Sequence, residues 1–346
     1  MLALGQATSR AVLAASSARH NTARACATLG RVFSVDRVRL GIARWLLRSS
    51  AKSQRSSYGI RALIDDIETS LVDRTIVMQR VDCRRIASDR LVYVDIGARG
   101  GLPPDLSPFS SLLSPVFFEP DAEECQRLTT LLPNATVIGT AIGDRNGQAT
   151  LFLTKKRACS SLLKPDGHMI NLLSESLRAD GTAHGSIERF TVEREVNVNV
   201  KTLTEALSGV VSEIDLMKVD VQGLEFEVLN TLGSFRPFGA VIECSSTELY
   251  VDQKSLFEVG ATMRKLGYFP LTFLPPHPIE RTDKRSFKKT LPLHGDMIFV
   301  PDNSPEGRAI ITRDPLKWVV TLGILGHLDF AEWQAKEIGI EIEALR

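Results

Sequence analysis

Apolar positions along this chain follow two rhythms that alternate. Residues 60–72, IRALIDDIETSLV, carry them at helical spacing. Residues 91–97, LVYVDIG, form a compact β-branched run closed by an acid and a glycine, the pattern of a strand buried on both faces. A second short strand follows at 115–120 (PVFFEP), and then the helical stretch DAEECQRLTTLL. Residues 135–144 (ATVIGTAIGD) read as a third strand, and 147–154 (GQATLFLT) as a polar-flanked hairpin partner. A polar segment at 158–185 has turn signals and no strong period. Beyond it, 196–207 (VNVNVKTLTEAL) reads as strand into helix. Residues 214–223 (IDLMKVDVQG) repeat the sequence of strand, acid and glycine, and 224–233 (LEFEVLNTLG) is a helix closed by Gly233. A strand at 240–245 (AVIECS), a helix at 255–268 (SLFEVGATMRKLGY) and a late strand at 295–301 (GDMIFVP) complete the series.

Strands alternating with helices imply parallel βαβ units, hence a doubly wound open sheet with helices on both faces. Ligands of such sheets bind outside the carboxyl ends of the strands, where the strand order switches. Four of the predicted strands end there on acids: Asp95, Glu119, Asp220 and Glu243. Carboxylates gathered at one edge suit hydroxyls and a cation, and repel a phosphate.

The turn after the first strand reads Asp95-Ile96-Gly97-Ala98-Arg99-Gly100-Gly101. Its spacing is not the GxGxxG of a dinucleotide fingerprint, and no GxxxxGK[ST] occurs in the chain, which excludes a P-loop. Gly97 and Gly100 let the backbone pass close to a ligand. Asp95 sets a negative charge where a pyrophosphate would lie, so a ligand with a cationic centre, an amine and a carboxylate fits better. Glu119 closes the second strand, where an acid accepts both ribose hydroxyls. That role is common to NAD and S-adenosylmethionine sites, and the turn and Asp95 tell the two apart.

The ordered set VDIGARGG, FFEPD, TAIGDRNGQATLF, CSSL, VNVKTLTEAL, DLMKVDVQGLEFEVL and VIECS resembles the FkbM family of S-adenosylmethionine-dependent methyltransferases. The resemblance runs from about residue 90 to 300. It implies a class I, Rossmann-like methyltransferase sheet: mostly parallel, helices on both faces, with a late antiparallel strand that GDMIFV would supply. It also implies methyl transfer to an oxygen, often on a sugar, a glycosylated product or a polyketide, and so a place in glycan or natural-product biosynthesis. By position, Asp95, Gly97 and Gly100 would line the methionine part of the cofactor and Glu119 would hold its ribose. The segment 140–144, with Ala141 and Asp144, would lie near the adenine. Asp220 would lie near the methionine amine or the acceptor. The sequence departs from the family pattern at two places. Arg99 stands where the family commonly has Asn, and the family's DVEGxE reads Asp220-Val221-Gln222-Gly223-Leu224-Glu225. Either change could retune the acceptor pocket or weaken activity, and Arg99 could bind an anionic acceptor.

An alcohol acceptor benefits from a base that takes its proton as the new bond forms. Asp220, Glu225 and Glu243 are the candidates, with His168 and His184 in the polar middle segment as outsiders that read as surface histidines. No Ser-His-Asp or HExxH arrangement competes. Two rival functions stay open at this point: a non-catalytic protein of the same fold, kept open by Arg99 and Gln222, and a dinucleotide-dependent oxidoreductase.

Composition bounds the rest. The chain has 346 residues, 43% hydrophobic and 24% charged, with a formal net charge of +1. No global charge draws it to nucleic acid. Ten of the basic residues fall within the first 60 positions, where Asp36 is the only acid. That Ala-, Ser- and Arg-rich leader reads as an organellar transit peptide or as an N-terminal extension, and the stretch 35–50 is amphipathic. A cytoplasmic location is expected, with import through the leader as the alternative. Five scattered cysteines show no metal-ligand spacing, so no metal is expected. No apolar stretch approaches the ~20 residues of a membrane span. The closest, WVVTLGILGHLDF at 318–330, contains His327 and Asp329. The organisation expected is a basic extension over 1–55, a methyltransferase-like domain over 56–300 and a helical extension over 301–346. Its tail helix would pack on the domain or on a second subunit of a homo-oligomer. Proline-rich and basic residues at 274–290 read as a solvated connector.

Overall fold

The run LVYVDI becomes β1 (Leu91–Ile96), a strand inside the main sheet with almost every side chain buried. That is what its unbroken apolar character requires, since a parallel strand is covered on both faces. The computed structural model describes residues 83–171, 187–274, 279–280, 290–291 and 294–341, all within the unit Asp73–Arg346. The leader, the helical pattern at 60–72, His184 and most of the connector at 274–290 lie outside the described residues.

Beside β1 run β2 (Leu113–Phe118) and β7 (Leu216–Val219), both parallel to it. β3 (Thr136–Ile138) continues the sheet beyond β2, and β8 (Gly239–Ser245) continues it beyond β7, again parallel. β12 (His294–Pro301) then enters antiparallel to β8, and β9 (Tyr268–Leu274) forms the edge, antiparallel to β12. The order is β3-β2-β1-β7-β8-β12-β9. This is a mostly parallel sheet with a late antiparallel strand, the architecture the sequence resemblance implies. The chain first moves outward from β1 through β2 and β3 and later returns to pair β7 on the other side. The switch in strand order therefore falls between β1 and β7.

The region read as one strand at 135–144 departs from expectation. It breaks into β3 and β4 (Ala141–Ile142), which belong to different sheets. Gly139 and Thr140 make the break, with the Thr140 N–H donating to the Ile138 carbonyl at 2.9 Å. β5 (Gly147–Thr154) is not the hairpin partner of β4. It pairs antiparallel with β6 (Val192–Lys201), and β4 pairs parallel on the other side of β6. The alternation of VEREVNVNVK suits a strand with one solvated face, and its partner lies some forty residues away, beyond the reach of a local pattern. β9 was not legible as a strand because Pro270 interrupts it. As the edge strand, β9 can leave that position without a donor. β10 (Ile279–Glu280) and β11 (Thr290–Leu291) form a small antiparallel pair.

Helices fill the connections: α1 (Cys83–Ser88), α2 (Ala122–Leu131), α3 (Leu203–Leu207), α4 (Glu225–Asn230) and α5 (Leu256–Lys265). Three of them start at side chains that accept orphan N–H groups. Asp121 caps α2, Thr202 caps α3, and Ser255 with Glu258 makes a capping box on α5. After β12 come α6 (Pro305–Arg313), α7 (Pro315–Ile324) and α8 (Leu328–Ile338). The apolar stretch at 318–330 supplies most of α7, a ten-residue helix buried on all sides. No helix among the described residues is long and apolar enough to cross a membrane. Gly239 at the start of β8 is where α7 seats, with a Leu325 methyl 2.6 Å from the position a Cβ would take.

α7 also carries a buried charge. Lys317 Nζ lies 3.2 Å from Asp215 Oδ2, 3.2 Å from Asp89 and 3.3 Å from Glu213. Asp215 is fully buried; it accepts the Val92 N–H at 2.8 Å and faces Arg313 Nη2 at 3.3 Å. The cluster thus ties α7 to the entry ends of β1 and β7. Removing one partner of such a pair leaves a desolvated charge. Lys317→Met should lower the unfolding free energy by about 3 kcal/mol. Adding Asp215→Asn should recover part of it, both read from urea denaturation midpoints.

Candidate active site

β1 ends in a turn that brings the backbones of two strands unusually close. Gly97 has φ +87°, and a Cβ there would lie 1.9 Å from the Asp220 carbonyl oxygen at the end of β7. Its N–H and that of Ala98 both donate to the Phe118 carbonyl at the end of β2, each at 3.0 Å. The carboxyl ends of β1, β2 and β7 are thereby drawn together. Above them lies a cavity whose floor includes Gly97, Glu119, Ala141 and Asp220, and whose roof is the segment 157–162 after β5.

Arg99, the departure within the turn, points at the acids that open α2. Its Nη2 is 2.6 Å from Asp121 Oδ2 and 3.7 Å from Glu119 Oε1, and its Nη1 is 4.0 Å from Glu124. The guanidinium is thus committed to carboxylates of this chain. Gly100, with φ +92°, turns its N–H onto Glu124 Oε1 at 2.8 Å. The paired bonds from Arg127, with that N–H, hold Glu124 down at about 2. Glu119 behaves oppositely. Burial pushes it up to about 7, although Arg99 and the Asp121 N–H at 2.9 Å both favour its charge.

Asp95 lies beneath the turn, outside the cavity lining, and is almost wholly buried. Its Oδ2 accepts from the Tyr93 hydroxyl at 2.6 Å, and its Oδ1 has no hydrogen-bond partner among the described residues. Burial lifts it to about 6 against the pull of Lys218. Asp220 does reach the cavity. Burial pushes its carboxyl up, but Lys218 Nζ at 2.7 Å and Gln222 Nε2 at 2.8 Å outweigh that and hold it below the usual range. Lys218 in turn is held above the ordinary lysine range by Asp220 and Asp95 despite its own burial.

The methyltransferase FkbM domain model matches residues 95–270, which is 176 of the 346 residues. The chain belongs to the FkbM methyltransferase family. It is an S-adenosylmethionine-dependent methyltransferase, and its strand order is that of the class I sheet. Among solved structures it is similar to the Burkholderia thailandensis 1,6-didemethyltoxoflavin-N1-methyltransferase with bound 1,6-didemethyltoxoflavin and S-adenosylhomocysteine. That match has 10% identity, covers 69% of this chain and 86% of that one, and has a TM-score of 0.27. It is also similar to a mutant of MtNAS at 9% identity over 82% of this chain and 79% of that one, with a TM-score of 0.24. No curated protein matches the chain significantly.

Within this FkbM methyltransferase, not every candidate from the sequence reaches the cavity. Asp144 is largely exposed, faces Arg145 at 3.8 Å and stands outside the lining, because the chain turns away at Gly143 to enter β5. Glu225 sits at the start of α4 and braces the turn from beneath. It accepts the N–H groups of Val221 at 3.1 Å and of Gly223 at 3.0 and 3.1 Å. Burial lifts it to about 7. Glu243 is one shell back, bonded by Gln222 Nε2 and 3.5 Å from His294 Nδ1. Burial first, then the Asp220 charge, keeps it well above the usual carboxylate range. His168 is exposed, and its backbone N–H donates to Asp166. Among the described residues no three His, Cys, Asp or Glu side chains group as a metal ion would need.

Three residues at the site were not singled out from the sequence. Tyr93 and Lys218 stand two positions before Asp95 and Asp220, so the period of a strand puts each on the face of its acid. That signal was available. Tyr250, which bonds Gln222 from beyond β8, carries no local signal. The close approach at Gly97 has a direct test. Gly97→Ala should lower stability by about 3 kcal/mol through backbone strain and overlap with Asp220. Gly100→Ala has comparable φ but open space and should cost about 1 kcal/mol. Equal losses in urea denaturation would contradict the contact.

Proposed function

We propose that this enzyme transfers the methyl group of S-adenosylmethionine to a hydroxyl oxygen of a sugar, glycan or other small-molecule product. The observation that carries the reading is the convergence of a backbone cradle and two unlike carboxylates on one cavity at the strand-order switch. The residues present fit the cofactor. Gly97 lets the ends of β1 and β7 close against each other to form the cavity floor, Glu119 is a desolvated acceptor for paired hydroxyls, and Asp220 is an ionised acid suited to an ammonium. In this reading Gly97 lines the methionine part, Glu119 takes the ribose hydroxyls and Ala141 flanks the adenine. Asp95 and Gly100 shape the turn from behind.

When bound, S-adenosylmethionine supplies an electrophilic methyl carbon on a sulfonium. The protein aligns an acceptor oxygen and excludes water, which is where most of the acceleration in such displacements arises. Of the three candidate acids, Asp220 borders the cavity; held ionised, it can accept a hydrogen bond from the acceptor hydroxyl and orient that oxygen. Glu225 has both oxygens engaged by the turn, and Glu243 stands behind Gln222, outside the cavity lining. The polar roof, with Ser160 and Arg157, offers donors to a hydroxyl-rich acceptor.

Calorimetry with S-adenosylmethionine tests the first half. Glu119→Gln should weaken binding about 100-fold, because two charge-assisted bonds to hydroxyls are lost. Absence of wild-type binding at millimolar concentration sinks the reading. The pH dependence has a defined sign. Wild-type affinity should rise as pH climbs from 6 to 8, when Glu119 ionises at about 7 and accepts both hydroxyls, and Glu119→Gln should remove that rise. Stability of the free protein moves the other way. A carboxyl with a raised folded pKa favours the fold below its ordinary value and loses that advantage as pH rises through about 7. Labelled cofactor with a panel of sugars and extracts then tests the acceptor class.

A further inference from the structure

Gln222 has the most constrained side chain near the cavity. Its backbone is in the left-handed region, φ +59°, which a residue other than glycine rarely occupies. Its carbonyl accepts from the Ser161 hydroxyl of the roof at 2.7 Å. Its Nε2 donates both to Asp220 Oδ1 at 2.8 Å and to Glu243 Oε2. Its Oε1 accepts from the Tyr250 hydroxyl at 2.8 Å, and that hydroxyl also lies 3.0 Å from the Cys159 carbonyl in the roof. Tyr250 is itself buried and is joined by an isolated bridge to Pro165, just beyond the roof segment. One amide therefore joins the cavity floor, the acid behind it and the roof.

We infer that Gln222 is a positioning residue: held by Tyr250, its amide aims Asp220 at the cavity as an ionised carboxylate and couples that carboxylate to the roof. The inference rests on reading this cavity as the methyl-transfer site. It turns on chemistry that only a carboxamide has. An amide nitrogen has two N–H groups and can donate to two carboxylates at once, while its oxygen still accepts from a tyrosine. By the resemblance noted in the sequence, the motif would carry Glu here. An ionised Glu accepts only, and would set a third carboxylate against Asp220 and Glu243. The trio could settle only by taking up a further proton, as neighbouring carboxylates do. The titratable groups around the pair are Lys218 on β7, Tyr93 and Asp95 on β1, and His294 and Asp296 on β12. Glu225, Cys244, Tyr250 and Cys159 face it from the other elements. All are common to wild type and variant, so a difference between the two isolates position 222.

The test compares wild type, Gln222→Glu and Tyr250→Phe by thermal unfolding without ligand and by calorimetry with S-adenosylmethionine, at pH 5.5 and pH 8.5. Gln222→Glu should melt about 2 °C below wild type at pH 5.5, where its new carboxyl is protonated and gives one O–H in place of two N–H donors, and fall behind by about 6 °C at pH 8.5. Its affinity should match wild type within about 3-fold at the lower pH and be about 10-fold weaker at the higher. Tyr250→Phe should lose a few-fold in affinity equally at both values. A melting gap that does not change with pH overturns the proposal. So does a widening melting gap with unchanged affinity, since Gln222 would then be structural only. If wild type fails to bind S-adenosylmethionine, it is the reading of the cavity that fails; the ligand-free melting series still decides whether position 222 sets the charge of the cluster.

Discussion

The constraint on which this site depends is the desolvation of carboxylates at the ends of buried strands. Parallel strands covered on both faces end in a low-dielectric edge, and an acid placed there favours its neutral form unless something opposes burial. Asp95, Glu119, Asp220 and Glu243 face that problem at the sheet edge and Glu225 faces it at the start of α4, with different partners. Asp220 has Lys218 and an amide, and stays charged. Glu225 accepts two backbone N–H groups and still rises to about 7. Glu119 has a share of one arginine. Glu243 is pushed well above the usual carboxylate range by burial and by the charge of Asp220. The chemistry available at the cavity follows from these partners more than from the presence of the acids.

Geometry at Gly97 makes the arrangement possible. With a Cβ excluded, the end of β1 lies directly against the Asp220 carbonyl, so the first and fourth parallel strands present their acids to a common space. The same compression is supported from the other end of the strands. Lys317 on α7 meets Asp215 just before β7, and Asp215 takes the Val92 N–H at the start of β1. β1 and β7 are thus pinned to one another at entry by a buried ion pair and at exit by glycine.

Much of this was legible in the chain itself. Buried runs closed by acid and glycine identify β1 and β7, and the alternation of elements implies the parallel sheet and its switch point. The order of motifs carries the family. What could not be read is mostly non-local. The pairing of β5 with β6 spans a long insertion, β9 is disguised by an edge proline, and Tyr250 approaches Gln222 from a different part of the chain. Arg99 illustrates the limit well. Its position in the turn was evident, yet its partners Asp121 and Glu124 lie on α2, and only the fold shows that the guanidinium serves them before any acceptor. Asp144 shows the converse: proximity in sequence to Ala141 did not bring it into the cavity, because Gly143 redirects the chain.

Glu119 and Asp220 line the same cavity yet differ in how their charge is secured. Asp220 is paired at close range by groups on its own strand and turn, so its ionisation is a fixed property of the fold. Glu119 shares Arg99 with Asp121, which takes the shorter contact at 2.6 Å against 3.7 Å. Its charge is consequently poised near neutrality, where a ligand's hydroxyls can shift it. Acids pushed apart in this way can serve different roles in one site, one as a constant countercharge or base and the other as a hydroxyl acceptor that responds to binding. An Asn at position 99 would leave Glu119 without its nearest cation and drive it further toward the neutral form. Read in that light, the arginine is a compensation for burial, and its presence in the glycine turn is consistent with a working site.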